Sequence, residues 1–173
     1  MAFQSSIGPT QGFGVPGELF TNRPWDGYSY TINSVSAAYN IIGATAVTQQ
    51  AAEGYVAAGQ GASTSSVFAG IIAMPKDYAL YSGTFTPTLT VANQSLITAV
   101  VEGTMIVTLP AAAAIGDYVV YNTTTGALST IAPGADLASG TAFAQAIVVN
   151  KIVSAAGLAV IQISPTYVIP QPA

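Results

Sequence analysis

From Tyr28 onward, apolar and polar side chains follow strand periods. Tyr28-Ser29-Tyr30-Thr31-Ile32-Asn33 alternates at period two, which predicts a half-buried strand. Val67-Phe68-Ala69-Gly70-Ile71-Ile72-Ala73-Met74 reads as a strand buried on both faces and ended by Pro75. Leu96–Val101 and Thr104–Leu109 flank Glu102-Gly103, the pattern of a hairpin, with Met105, Val107 and Leu109 on one face. Asp117–Asn122 and Ala127–Ile131 form a second predicted hairpin around Thr123–Gly126, where Gly126 supplies the left-handed residue. Ala142–Val153 and Leu158–Ser164 form the last pair, joined by Ser154–Gly157. The stretch Ala38–Gly61 is rich in Ala, Gly and Gln and shows neither period; a short helix or a loop fits it. Short strands with turn signals every ~8–12 residues predict an all-β antiparallel sandwich or barrel. No interval carries the amphipathic helix that a parallel α/β unit needs.

Residues 1–26 read differently. Gly8, Pro9, Gly12, Gly14, Pro16, Gly17 and Pro24 stop any regular element. Between them stand Phe3, Ile7, Phe13, Val15, Leu19, Phe20 and Trp25. A disordered tail does not keep so many large apolar side chains; an extended arm laid on a surface does. The expected organisation is therefore an arm over 1–26, then one β-rich domain over 27–173 with a Pro-rich tail.

Composition narrows the function. Only 6% of the 173 residues are charged, against about 25% in ordinary domains. The cations are Arg23, Lys76 and Lys151, too few and too scattered for the phosphate contacts of nucleic-acid binding. A mean hydropathy of +0.53 with a net charge of -4 points to a surface covered by partners in an oligomer or lattice. The first residues lack the basic and apolar runs of a secretory signal. The long uncharged stretch from Tyr78 to Val101 is too interrupted for a membrane helix. The expectation is a chain made in the host cytosol, with no membrane partner.

Most catalytic chemistry is removed by what is missing. The chain has no His and no Cys, so His-based triads and the usual zinc sites are excluded. The acids Glu18, Asp26, Glu53, Asp77, Glu102, Asp117 and Asp136 are dispersed, and Asp26, Asp77, Asp117 and Asp136 stand beside turn residues where acids commonly sit. No clustered oxygen ligands suggest a calcium loop. Gly12-Phe13-Gly14-Val15-Pro16-Gly17 formally matches G-x-G-x-x-G, but no strand precedes it and Pro16 interrupts it, so a close backbone approach explains it better than a nucleotide. The sole Trp, Trp25, suits an interface anchor or a core position equally. No catalytic, cofactor or metal residue is assigned, and the chain is expected not to be an enzyme.

A series of segments carries a family resemblance. They are Met1–Ser5, Gly12-Phe13-Gly14-Val15-Pro16-Gly17-Glu18-Leu19-Phe20, Phe68-Ala69-Gly70-Ile71, Pro75-Lys76-Asp77-Tyr78-Ala79 and Thr86-Pro87-Thr88-Leu89. Leu109–Asp117, Thr125-Gly126-Ala127-Leu128, Ala132-Pro133-Gly134-Ala135 and Val153–Val160 complete it. In this order they resemble the structural cement (decoration) proteins of tailed bacteriophages; Asn33–Ser65 departs most. The resemblance implies a jelly-roll-like, non-enzymatic virion protein on the outer surface of the head. Its partners would be the major capsid protein, whose neighbouring subunits it clamps against DNA pressure, and its own copies in a dimer or trimer. The arm side chains expected at such contacts are Phe3, Phe13, Val15, Phe20 and Trp25. Deleting residues 1–20 is expected to leave a folded β-domain that decorates heads poorly. Two other classes compete: a receptor- or glycan-binding module of a phage tail or cell surface, and a hydrolase using two carboxylates. Neither has a motif of its own.

Overall fold

A computed structural model describes residues 14–20, 24–59, 67–74, 89–150 and 155–166. Nine strands follow one another: β1 (Asp26–Ile32), β2 (Ala46–Gln49), β3 (Tyr55–Ala58), β4 (Phe68–Ala73), β5 (Leu96–Leu109), β6 (Tyr118–Asn122), β7 (Leu128–Ile131), β8 (Thr141–Asn150) and β9 (Gly157–Ile163). The only helical element among the described residues is a single 3₁₀ turn, Ala37–Tyr39, capped by the Ser36 hydroxyl. The fold is an all-β sandwich, as the periodicity predicts.

The supposed hairpin over 96–109 is instead one strand. β5 runs fourteen residues straight through Glu102-Gly103. Up to Glu102 it pairs with β1 and β4; from Gly103 to Leu109 it pairs with β9. Gly103 (φ 132°) marks the corner, a backbone shape that side chains rarely adopt. A strand that changes sheets at a glycine is a recognised way to turn a sandwich corner. Sequence periodicity cannot tell such a bend from a two-residue turn, because alternation continues on both sides of it.

The first half of the fold closes on itself. β1 pairs with β3, β3 with β2, β2 with β4, β4 with β5 and β5 with β1. Among the described residues, every strand pairing is antiparallel except β1–β3, where Thr31 N–H donates to Gly54 O (2.9 Å) and Asn33 N–H to Val56 O (2.8 Å). Closure removes the unpaired edges that promote aggregation. The ambiguous Ala38–Gly61 stretch supplies two of these five strands, β2 and β3, together with most of the 3₁₀ turn.

The second half, β5–β9–β8–β6–β7, packs over the outer face of this ring. Alternate residues of the shared strands feed opposite cores. Val47, Ile72 and Ala99 point into the ring with Ile32, Val56 and Ile97. Ala46, Ile71, Ala73 and Val100 point the other way, against Met105, Val107, Tyr121 and Ile161. A small ring leaves little interior volume, which accounts for Ala and Val on these strands where Leu and Phe would overfill. Ala46 N–H donates to Gly126 O (2.8 Å) and Leu128 N–H to Ala44 O (3.1 Å), tying β7 back to the entry of β2.

One end of the ring is held by a buried polar cluster. Asn40, fully buried, donates from Nδ2 to Val91 O (3.0 Å) and to Asn93 Oδ1 (2.9 Å). Asn93 in turn donates to Ser34 O (2.8 Å), and the Ser34 hydroxyl accepts from Ala58 N–H (2.8 Å). These bonds satisfy backbone groups where β1, β3 and the loop before β5 converge.

Candidate functional site

The most conspicuous surface lies around the β5 corner. Val15-Pro16-Gly17-Glu18 forms a tight turn with Pro at its second and Gly at its third position; Glu18 N–H donates to Val15 O (3.2 Å), and Gly17 has φ 86°. The Glu18 carboxylate also accepts from Val15 N–H (3.2 Å). The turn is fastened to the domain. Gly17 N–H donates to Ile106 O (2.8 Å), Ile106 N–H to Glu18 O (2.9 Å), Phe20 N–H to Thr104 O (2.8 Å) and Met74 N–H to Gly17 O (2.9 Å). Leu19 bridges Met105 and packs on the larger core.

Residues 17–20 therefore run alongside β5, joined to it by these bonds and by the Leu19–Met105 bridge. Four of these residues, Gly17 to Phe20, thus add to the domain's ladder or its core.

Three of the expected contact residues fall in this region. Val15 (45% exposed), Phe20 (36%) and Trp25 (46%) all keep a large apolar surface open to solvent. Phe20 lies beside Thr104, and Trp25 covers Gly103. A Cβ placed on Gly103 would stand 2.9 Å from Trp25 Cβ, and one on Gly27 would stand 3.1 Å from Trp25 Cζ3. Gly27 makes room for the indole ring and Gly103 for the Trp25 Cβ, so the side chain leaves the backbone against the β5 corner. Phe3 and Phe13 lie outside the described residues.

Charge is sparse around this corner. Asp26 and Glu102 are cross-strand partners. The negative charge of Asp26, and the hydrogen bond it accepts from the Tyr28 hydroxyl, hold that phenol above its ordinary range. Burial does the same to Tyr121, which lies in the larger core against Phe68.

Further exposed apolar side chains were not anticipated from sequence: Tyr28, Val35, Val67, Leu96 and Ile115. Ile115 occupies the second position of a turn in which Asp117 N–H donates to Ala114 O (3.2 Å), with Gly116 at φ 94°. The Asp117 carboxylate accepts from Ala114 N–H (2.8 Å) and stiffens it. The dipeptide Ile115-Gly116 ahead of Asp117 was the available signal, since an apolar residue before a turn glycine is forced outward.

The chemistry of this surface is that of contact. Among the described residues, no three His, Cys, Asp or Glu side chains meet to hold a metal. No helix among them is long and apolar enough to cross a membrane.

Comparison with known proteins settles the family. The family model described as structural cement protein (E217 gp24/Pam3 gp6) matches residues 3–164. The chain belongs to the structural cement protein family. No curated protein matches it. Among solved structures, it is similar to a chain in "The capsid of Myoviridae Phage XM1", with a TM-score of 0.59 and 17% identity over 96% of this chain and 100% of that one. At that identity the likeness is one of fold. Membership in the cement family gives the protein a structural role in a phage particle.

Proposed function

We propose that this cement protein attaches to the outer surface of the phage head as a small homo-oligomer and clamps neighbouring major capsid subunits, so that the shell withstands the pressure of packaged DNA. The observation that carries this reading is the family match along 3–164. The β5 corner fits the task, because Phe20 and Val15 present apolar surface from backbone that is hydrogen-bonded in place, and Trp25 presents it from a position packed on Gly27 and Gly103. Rigid anchors lose little conformational freedom on binding. Several such contacts on one oligomer add avidity by raising effective concentration. A protein that binds only the mature lattice stabilises that lattice by mass action. The role requires no reaction, in keeping with a chain that lacks His and Cys.

Cosedimentation of the purified protein with mature heads lacking it tests the attachment. Saturable binding at a fixed ratio to the major capsid protein is expected; no binding at any concentration would overturn the reading.

A further inference from the structure

The other end of β1 carries a different kind of surface. Asn33 after β1, Gln50 after β2, Tyr55 at the start of β3 and Gln94 in the turn before β5 surround a pocket of about 360 Å³, with Ala52 completing its wall. The pocket lies on the outer wall of the ring, where the end of β1 meets the start of β3; Asn33 and Tyr55 alternate with Ile32 and Val56, which face the ring core.

Its lining is neutral and rich in carboxamides. The side chains of Asn33 and Gln94 are exposed and make no hydrogen bond among the described residues. Gln50 Nε2 makes only long bonds, to Thr48 O (3.3 Å), Thr48 Oγ1 (3.5 Å) and Gln49 O (3.4 Å), and its carbonyl oxygen is uncommitted. Each amide both donates and accepts, as does each hydroxyl of a sugar. Tyr55, partly exposed at the rim, adds an aromatic ring suited to the C–H face of a pyranose. With no charged group in the lining, an anionic or cationic ligand would lose its hydration without a counter-charge.

Gln94 has a second peculiarity. Its backbone lies at φ 66°, one of only two positive-φ residues other than glycine among those described, and its N–H donates to Ile32 O (2.7 Å). Glycine or asparagine usually fills such a position. Here a long amide is kept on the pocket rim in a disfavoured backbone shape, the kind of outlier that accompanies function.

From these observations we infer that this pocket at the β1–β3 seam is a binding site for neutral saccharide units. The site goes beyond the clamp. It lies at the opposite end of β1 from Trp25, roughly 20 Å away at strand spacing, so a protein docked through the Trp25 corner keeps it open. Many copies on one head would turn weak single-site binding into firm adhesion.

The test is a panel of immobilised oligosaccharides, neutral, sialylated and sulfated, probed with the full chain. Retention on a neutral saccharide, competed by the free sugar, is expected. Tyr55→Ala and Gln94→Gly should each weaken it at least tenfold. Gln94→Gly should also keep or raise the melting temperature, because glycine accepts φ 66°, and should leave attachment to heads unchanged. That combination separates a ligand-binding role from a structural one, and a failed saccharide site from a failed clamp. No retention on any neutral saccharide, retention on charged ones only, or full binding by both variants would overturn the inference.

Discussion

Gly43 rests directly on Gly17. A Cβ on Gly43 would overlap the Gly17 amide nitrogen, and one on Gly17 would stand 2.8 Å from Met74 N. Both residues hold positive φ, 67° and 86°. Gly43 also donates to Ile72 O and accepts from Thr108 N–H, each at 2.8 Å. One backbone crossing thus joins the N-terminal segment, the loop before β2, the end of β4 and the C-terminal end of β5.

Gly43→Ala should therefore cost about 2–4 kcal/mol, from a left-handed alanine and a steric clash that backbone cannot relieve. Urea denaturation measures it. A loss below about 1 kcal/mol would mean the crossing is looser than described.

Truncation should separate fold from attachment. A chain lacking residues 1–13 keeps the bonds from Gly17, Glu18 and Phe20 to β5. Its melting temperature should stay near the parent's, while its occupancy on heads falls as the contacts expected of Phe3 and Phe13 are lost. Removing residues 1–20 should lower stability by roughly 4 kcal/mol, from several backbone bonds at about 1 kcal/mol each plus the burial of Leu19. Thermal melts of the two truncations decide this, and equal melting temperatures would refute it.

Trp25→Ala should weaken attachment at least tenfold, the usual effect of truncating an aromatic anchor. Its indole is 46% exposed, so the melting temperature should change little. The surface is apolar and hydrogen-bonded, so occupancy should be similar in about 0.1 and 1 M salt, where screening differs severalfold. Sedimentation of variant and parent with heads checks both points; parental affinity in the variant would move the contact elsewhere.

Alkali should destabilise the fold through tyrosine. Tyr121 is buried, which raises its pKa, so the folded state keeps a proton that the unfolded state releases near pH 10. Stability is then full below pH 10 and falls as pH rises beyond it. Tyr121→Phe should flatten that fall. Denaturation at pH 8, 10 and 11 tests the sign; an identical alkaline loss in the variant would assign it to other groups.

Much of this fold was legible in the sequence. Alternation, apolar runs and turn signals located β1, β4, β6, β7, β8 and β9 within a few residues, and Gly126 correctly marked the β6–β7 turn. Two features were hidden for different reasons. β2 and β3 are four residues each, and all but Gln49 and Tyr55 are buried Ala, Val or Thr, so they lack a polar alternation to detect. Gly103 was taken for a turn because a glycine corner and a hairpin glycine look alike until the partners are known; Glu102 pairs with Asp26 and Gly103 with Ile163. At the surface, Trp25, Phe20 and Val15 were legible as large apolar residues among chain breakers. The pocket at Gln94 was not, since its residues come from three stretches, at 33, 50–55 and 94, that only the pairing of β1 with β3 and β5 brings together.

The central claim is that this protein strengthens a mature shell. The direct measurement is the temperature at which purified heads release DNA, with and without saturating protein. The clamp predicts a higher release temperature that tracks occupancy and is lost in Trp25→Ala at concentrations where that variant does not bind. Saturated heads that release DNA at the same temperature as bare heads would contradict it.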